Sequence, residues 1–338
     1  MEAWEIIGAG GIGCAVGYAL ARSGCSVTFI DTNPTKLEWG RKFGVSVAGL
    51  PSLPAAFIDF RDWSPTRNAQ ILLCTKCFNN REVLEKLPPE RNLLSIQNGF
   101  DADLEACDEP VEAIASFVSE CHPERTQTRL TRFGSLHIGG RGIQAKPSLE
   151  RAAALATCLR SDRLFTVRVV HDVLPYKFSK LMYNAAISPL AAAGGLDNGE
   201  LLREGPARRL FFALLQENYR ILRQAGKPLG TIGPFSPGTV QRILNQRWLA
   251  RSLAWAFYPS LKGRYCSMSL DLPAGRTEID NYNGYLLSLA GSVSCPLNRL
   301  TYSMIKQMER TRTPPGPSHL DELEQAIQSD SSTHTSAA

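Results

Sequence analysis

The sequence predicts an α/β domain built on a largely parallel sheet, followed by an all-α domain. Three observations carry this reading. The first thirty residues read strand, glycine-rich turn, helix, strand. Strand and helix signals then alternate as far as residue 97, and beyond about residue 171 the strand signals give way to helical periodicity. A chain of 338 residues is too long for one ordinary core. The expected division is 1–170, 171–310 and a disordered tail at 311–338.

Residues 3–7 (AWEII) form the first buried strand, and residues 11–23 (GIGCAVGYALARS) the first helix, closed by Gly24 as a C-terminal cap. Residues 26–30 (SVTFI) are β-rich and form the second strand. A unit of about thirty residues has the size of a βαβ motif. The apolar run 69–74 (AQILLC), a helix over 79–86 and a strand at 93–97 (LLSIQ) continue the alternation. From 112 to 140 the pattern is β-rich with turns, predicting antiparallel strands that complete the same sheet. Helices are expected over 172–194, 205–225, 236–257 and 278–294. The second of these has apolar residues at 210, 211, 214, 215, 221 and 222, one face of a helix, and Gly226 and Pro228 end it. From Thr311 the chain reads TRTPPGPSH and ends SDSSTHTSAA, a polar composition that predicts a tail with at most a turn or two of helix.

The turn Gly8-Ala9-Gly10-Gly11-Ile12-Gly13 lies between a strand and a helix. There the first glycine makes the tight turn, the second lets the backbone approach a pyrophosphate, and the third lets helix and strand pack closely. The helix N-terminus supplies free N–H groups and a dipole that favour an anion. With an acid closing the second strand, this is the context a dinucleotide-binding turn requires. That acid is Asp31, eighteen residues after Gly13. A carboxylate there accepts from ribose hydroxyls and repels a 2′-phosphate, so Asp31 favours NAD over NADP. Lys36, close behind it, is a cation that would instead offset a 2′-phosphate.

Three further groups of residues bear chemistry. Lys180, Asn184 and Ser188 follow at helical spacing and present an ammonium, an amide and a hydroxyl on one face. Ser267-Met268 precedes Thr277-Glu278-Ile279-Asp280. Lys76 and Asn98 each follow a strand, where loops line the ligand crevice of a parallel sheet. Taken singly these residues have plainer readings: a solvated lysine, a satisfied buried amide, first-turn acids on a helix dipole, a simple turn. Lys177 is the lysine of this stretch expected to be solvated.

Together, GAGGIG at 8–13, CTK at 74–76, QNG at 97–99, KLMYN at 180–184, SM at 267–268 and TEIDNYNG at 277–284 resemble the ketopantoate reductase (2-dehydropantoate 2-reductase) family across residues 4–306. The resemblance implies a Rossmann-type first domain, a helical second domain with a cleft between them, and reduction of a 2-oxo acid to a 2-hydroxy acid. It implies Lys180 as general acid and Glu278 as the acid that interacts with the reacting hydroxyl. It implies Asn98, Asn184, Ser188 and Ser267 at the substrate, and Lys76 and Asn98 near the cofactor with Gly8, Ala9, Gly10, Gly11, Ile12, Gly13 and Asp31. A lysine suits the role. Hydride attack on a ketone builds negative charge on oxygen, and an ammonium with a reference pKa of about 10.4 is protonated at neutral pH.

Two departures bear on specificity. The family's helix usually has a second asparagine where this chain has Ser188, and the family usually takes NADP, which Asp31 opposes. NAD and NADP both stay open, as does a related NAD-dependent 2-hydroxy-acid dehydrogenase acting on another substrate. A non-catalytic dinucleotide sensor is the alternative of a different class. The net charge of +5 is scattered, not gathered in a stripe, which argues against nucleic acid as a partner. No apolar run reaches membrane-spanning length. The start MEAWE has no basic n-region, so cytoplasmic placement is expected. Nine cysteines without a framework spacing read as reduced thiols, and Cys74-x-x-Cys77 without a second pair does not read as a metal site. No metal is expected, the partner is a small-molecule 2-oxo acid, and a homodimer is compatible with the reading.

Overall fold

The computed structural model describes residues 3–88, 92–107, 111–142, 146–159 and 164–335. The chain divides into two compact units, residues 1–177 and 178–338. That division lies seven residues beyond the expected one, inside a helix.

The first unit carries strands β1 (Ala3–Ile7), β2 (Ser26–Asp31), β3 (Ser46–Val47), β4 (Ala56–Asp59), β5 (Gln70–Leu73), β6 (Leu93–Ile96), β7 (Val111–Ala115), β8 (Val118–Cys121), β9 (Gln127–Arg132), β10 (Ser135–Gly140) and β11 (Thr166–Asp172). Its helices are α1 (Gly11–Arg22), α2 (Pro34–Phe43), α3 (Asn80–Lys86), α4 (Ala102–Glu105) and α5 (Lys146–Leu159). Eight strands form one sheet in the order β11-β10-β7-β6-β5-β1-β2-β4, parallel except for the β7–β10 pair. Alternate residues feed two cores: Ile6, Phe29 and Leu72 face one, Ile7, Ile30 and Leu73 the other. That period of two on a sheet covered on both faces is what makes the strands read as continuous apolar runs.

The 112–140 region departs from expectation. β10 does pair antiparallel with β7, but β8 and β9 leave the main sheet. They join β3 in a separate three-stranded sheet that packs on α1. The partner of β9 lies some eighty residues upstream, at Ser46 and Val47, and no local periodicity announces a pairing of that span.

The second unit holds α6 (Leu174–Gly194, whose first turn lies in the first unit), α7 (Pro206–Gln224), α8 (Pro237–Leu244), α9 (Arg247–Leu261), α10 (Ser267–Asp271), α11 (Tyr285–Leu289), α12 (Pro296–Thr311) and α13 (Ser318–Thr335). The apolar face of α7 is buried as its spacing predicts, and Gly226 ends the helix in the left-handed region at φ +65°. The single helix expected at 236–257 is two, broken at Asn245-Gln246. The expected helix at 278–294 begins as a π-helical turn, Asp280–Gly284, and ends at Leu289.

The expected tail is also corrected, because its larger part is α13. Leu320 and Leu323 are buried, Leu320 reaches Gly194 at the end of α6, Gly316 N–H donates to Ala193 O at 2.8 Å, and Arg209 pairs with Glu324. Two leucines three apart give the segment an apolar edge, which its polar average composition conceals. Residues 336–338 lie outside the described residues. Among the described residues no helix is long and apolar enough to cross a membrane.

Candidate active site

The strand order gathers the first group of residues. β1 has β2 on one side and β5, then β6, on the other, all parallel, so their carboxyl ends share one edge. Asp31 ends β2, Gly8 follows β1, and Lys76 and Asn98 follow β5 and β6. β1 is also where the winding of the sheet reverses, the position at which open α/β sheets bind ligands.

Local sterics explain the glycines. Gly8 has φ +99°, and a Cβ on it would lie 3.0 Å from Cys74 C and Thr75 N. A Cβ on Gly13 would lie 2.0 Å from Gly8 O, so helix and strand approach as only glycine permits. Gly10 has open space where a Cβ would be, and it N-caps α1 without a side-chain hydrogen bond. The N-cap therefore supplies no side-chain acceptor to the first-turn N–H groups of α1, which fits an anionic group such as a pyrophosphate. Gly11 packs against β8: its Cβ would lie 2.2 Å from Ser119 O, and Ser119 Oγ donates to Gly11 O at 2.8 Å. Ile12, beside it, is half-buried against the core of this unit.

Ala9 is fully buried and held from both sides. Its N–H donates to Asp31 Oδ2 at 2.7 Å, and its carbonyl accepts from Lys36 Nζ at 3.1 Å. Asp31 Oδ1 accepts from Asn33 N–H at 2.9 Å. Each carboxylate oxygen retains a lone pair for a hydroxyl donor. The Lys36 ammonium is buried, turned onto Ala9 O and 3.8 Å from Cys121 Sγ. It is engaged with the turn, where the sequence suggested a cation for a 2′-phosphate.

Beneath Lys76 and Asn98 lies an amide ladder. Gln97 Nε2 donates to Asn80 Oδ1 at 2.7 Å and to Thr75 O at 2.9 Å, and Asn80 Nδ2 donates to Gln97 Oε1 and Asp101 Oδ1, both at 3.1 Å. The ladder ties the loops after β5 and β6 together and sets their path. Lys76 and Asn98 are half-buried. Cys74 in this loop is an inert thiol, its pKa pushed up to about 12 by burial, and no group of three metal-binding side chains occurs among the described residues.

The second unit arranges its residues along α6. Lys180 and Asn184 are half-buried and Ser188 is buried, at the helical spacing the sequence shows. Pro189 lies inside this helix and has no N–H, so Ala185 O loses its ordinary intrahelical donor. Asn283 Nδ2 replaces it at 2.9 Å. Asn283 belongs to the π-turn that follows Glu278, in which Gly284 N–H reaches Ile279 O. Glu278 is buried and accepts from Tyr282 Oη at 3.2 Å. Cys266 Sγ approaches Ser188 O at 3.5 Å, placing Ser267, the first residue of α10, beside the same stretch of α6. Asn218 Nδ2 holds Met182 O at 2.9 Å, and Glu217 and Asn298 complete the buried network.

The expectation for Lys177 is overturned. Its side chain is 1% exposed, ion-paired with Glu112, which also pairs with Arg141, and its ammonium lies 4.8 Å from the Phe100 ring centroid. Glu112 stands 65 residues upstream, beyond the reach of any local pattern.

The family profile described as "Ketopantoate reductase PanE/ApbA" matches residues 4–140, and its C-terminal counterpart, "Ketopantoate reductase PanE/ApbA C terminal", matches residues 172–309. The chain belongs to the ketopantoate reductase family. A 2-dehydropantoate 2-reductase of Pyrococcus horikoshii is 25% identical over 318 residues, covering 90% of this chain and 96% of the relative. In fold, the chain is similar to a PanE/ApbA family ketopantoate reductase from Ralstonia eutropha (TM-score 0.70, 20% identity, 91% of this chain and 99% of the other). It is equally similar to D-mandelate dehydrogenase solved with NADH (TM-score 0.71, 18% identity, 91% and 99%). The chain is thus an oxidoreductase of the ketopantoate reductase family that works with a nicotinamide dinucleotide.

Several of the contacts described within each unit have no signal in the sequence. Ser119 meets Gly11 across 108 positions, Asn80 meets Gln97, and Asn283 meets Ala185 across 98. Asn283 alone left a trace: a proline four residues after a helical position announces a carbonyl that needs another donor.

Proposed function

We propose that this protein reduces a 2-oxo acid to a 2-hydroxy acid, with 2-dehydropantoate as the first candidate and NADH as the preferred donor. One observation carries the cofactor half: the uncapped glycine turn, Asp31, Lys76 and Asn98 share one edge of four adjacent parallel strands. A nicotinamide dinucleotide held there supplies the hydride. Asp31, with lone pairs left on both oxygens, suits ribose hydroxyls, and Lys36 is already spent on Ala9 O. Both features support NADH over NADPH.

Lys180 delivers the proton to the carbonyl oxygen as charge develops on it, and its ammonium stabilises that charge. Glu278 is the acid that interacts with the reacting hydroxyl. Asn184, Ser188 and Ser267 bind the carboxylate and hydroxyl groups of the substrate. A second reading is favoured by Ser188. A hydroxyl in place of a longer amide leaves more room, and the structural relative solved with NADH acts, by its name, on D-mandelate. An aromatic or branched 2-oxo acid is the substrate in that case.

The test follows loss of reduced-nicotinamide absorbance with 2-dehydropantoate and a panel of branched and aromatic 2-oxo acids, using NADH and NADPH in turn. Turnover of at least one 2-oxo acid, with the higher kcat/KM for NADH, is the expected result. Oxidation of neither cofactor with any member of the panel overturns the reductase reading. A clear preference for NADPH overturns the cofactor assignment alone.

A further inference from the structure

Behind the glycine turn lies a group of side chains for which hydride transfer has no use. Cys14, on the first turn of α1, and Cys121, at the end of β8, bring their sulfurs to 4.0 Å. Both thiols are directed at the Ala9 carbonyl, Cys14 Sγ at 3.3 Å and Cys121 Sγ at 3.5 Å, and Cys121 Sγ also approaches Arg125 O at 3.4 Å. The Lys36 ammonium is 3.8 Å from Cys121 Sγ, and Asp31 is the nearby acid. Cys14 is fully buried, whereas Cys121 retains partial exposure.

These surroundings separate the two thiols. The hydrogen bond shared with Cys14, then the Lys36 ammonium, draws the Cys121 thiol below its ordinary range against the effect of burial. Cys14 is held well above the ordinary range, first by its hydrogen bond to Cys121 and then by burial, and keeps its proton. A thiolate beside an ammonium is the nucleophilic form of cysteine.

Resting on the dinucleotide reading of the turn, we propose that Cys121 and Cys14 are an oxidisable thiol pair that a hydroperoxide converts to a disulfide, and that this lowers the affinity of the turn for the dinucleotide. The Cys121 thiolate attacks one peroxide oxygen. The O–O bond breaks, Cys121 becomes a sulfenic acid, and the departing oxygen leaves as water (or alcohol) after taking a proton. The Cys14 sulfur then attacks the Cys121 sulfur, the S–O bond breaks, and the Cys14 proton leaves with that oxygen as a second water. Two thiols lose two electrons, and the peroxide gains them.

The link to binding is geometric. A disulfide brings sulfurs to about 2.05 Å, roughly half the present separation. α1 and β8 are already in backbone contact at Gly11 and Ser119, where even a methyl group would not fit, so the two elements have no room to close as rigid bodies. The displacement therefore falls on the first turn of α1. Ala9 O loses the Cys14 S–H donor in the same event, and the N–H groups that cradle the pyrophosphate move with the turn.

The experiment treats the full-length reduced protein with about one equivalent of hydrogen peroxide per chain, blocks free thiols with N-ethylmaleimide, and maps the peptides by mass spectrometry. A peptide joining Cys14 to Cys121 is expected, with Cys121 the site first trapped by dimedone. In parallel, NADH binding is titrated directly. The oxidised protein should show a Kd at least tenfold higher, restored by dithiothreitol, whereas Cys121→Ser should show the same Kd before and after peroxide. Cys14→Ser should stop at the sulfenic acid. Oxidation of other cysteines while Cys121 stays alkylatable overturns the pair, and a linked protein that binds NADH as the reduced one does overturns the consequence. A reduced protein that binds neither NADH nor NADPH overturns the dinucleotide reading and the consequence drawn from it, while the linked peptide still reports on the thiols separately.

Discussion

Replacing Asp31 by asparagine separates the two duties of this residue. In the structure each carboxylate oxygen accepts one backbone N–H, from Ala9 at 2.7 Å and from Asn33 at 2.9 Å. Asparagine keeps one acceptor and sets an NH2 group against the other donor. Ala9 is fully buried, so its N–H cannot turn to water. The loss is that of one hydrogen bond to a charged acceptor, about 1.5–3 kcal/mol. For a unit of this size that corresponds to a Tm lower by roughly 3–12 °C. The same change removes the charged acceptor for the ribose hydroxyls and the charge that repels a 2′-phosphate. The NADH to NADPH ratio of kcat/KM should therefore fall by about tenfold or more, the equivalent of one such bond. Steady-state kinetics with both cofactors, on a variant shown by circular dichroism to be folded, measure this. A ratio within about twofold of the parent would refute the assignment of Asp31, and an unchanged Tm would show that its bonds to the turn do not support the fold.

Other outcomes follow from the same geometry. Lys180→Ala should lower kcat by roughly 10²–10⁴, the usual contribution of a positioned acid, and leave the NADH Kd within about twofold; undiminished kcat dismisses Lys180 as the proton donor. Asn283→Ala strands Ala185 O, which Pro189 cannot serve, and should cost about 1–3 kcal/mol in urea unfolding, a loss that adding Pro189→Ala to the same chain should partly recover. Leu320→Ala should cost about 2–4 kcal/mol if α13 is packed as described, against almost nothing for a loose tail. His137 is buried beside Tyr176, and burial, then Arg168, depresses its pKa to about 4. Its folded pKa lies below the unfolded value of about 6.5. The stability it confers is thus complete above pH 6.5 and is lost as pH falls toward 4, with a ceiling of roughly 3 kcal/mol. His137→Phe should flatten the decline of the urea midpoint between pH 7.5 and 4.5, and an equal decline in both proteins contradicts this.

The legible and illegible parts of the chain differ in the range of the forces that set them. The strand–turn–helix–strand opening was readable because each step is local: β-rich runs, glycines where a Cβ would collide, and Asp31 at a strand end. Lys180, Asn184 and Ser188 were readable as a helical face for the same reason, and the family resemblance added their roles. α13 is illegible in the sequence because two leucines in a polar segment become a signal only when Gly194 and α7 are there to receive them. The burial of Lys177 is illegible because its partner Glu112 sits on β7. The sheet that β8 and β9 join is illegible because the alternation that marks a strand is silent about its neighbour.

By itself, then, the sequence determined the glycine turn, its acid and the helical spacing of the lysine, amide and hydroxyl. These are consequences of backbone sterics and of the 3.6-residue turn, and they hold wherever the segment goes. The tertiary structure alone decided that Lys36 turns onto Ala9 and not outward, that Asn283 supplies the donor Pro189 withholds, and that Cys121 stands beside Cys14. Each of these depends on burying a polar group whose partner lies at least 27 residues away. The requirement that a buried donor or acceptor be satisfied is universal, but only the folded chain selects which group satisfies it.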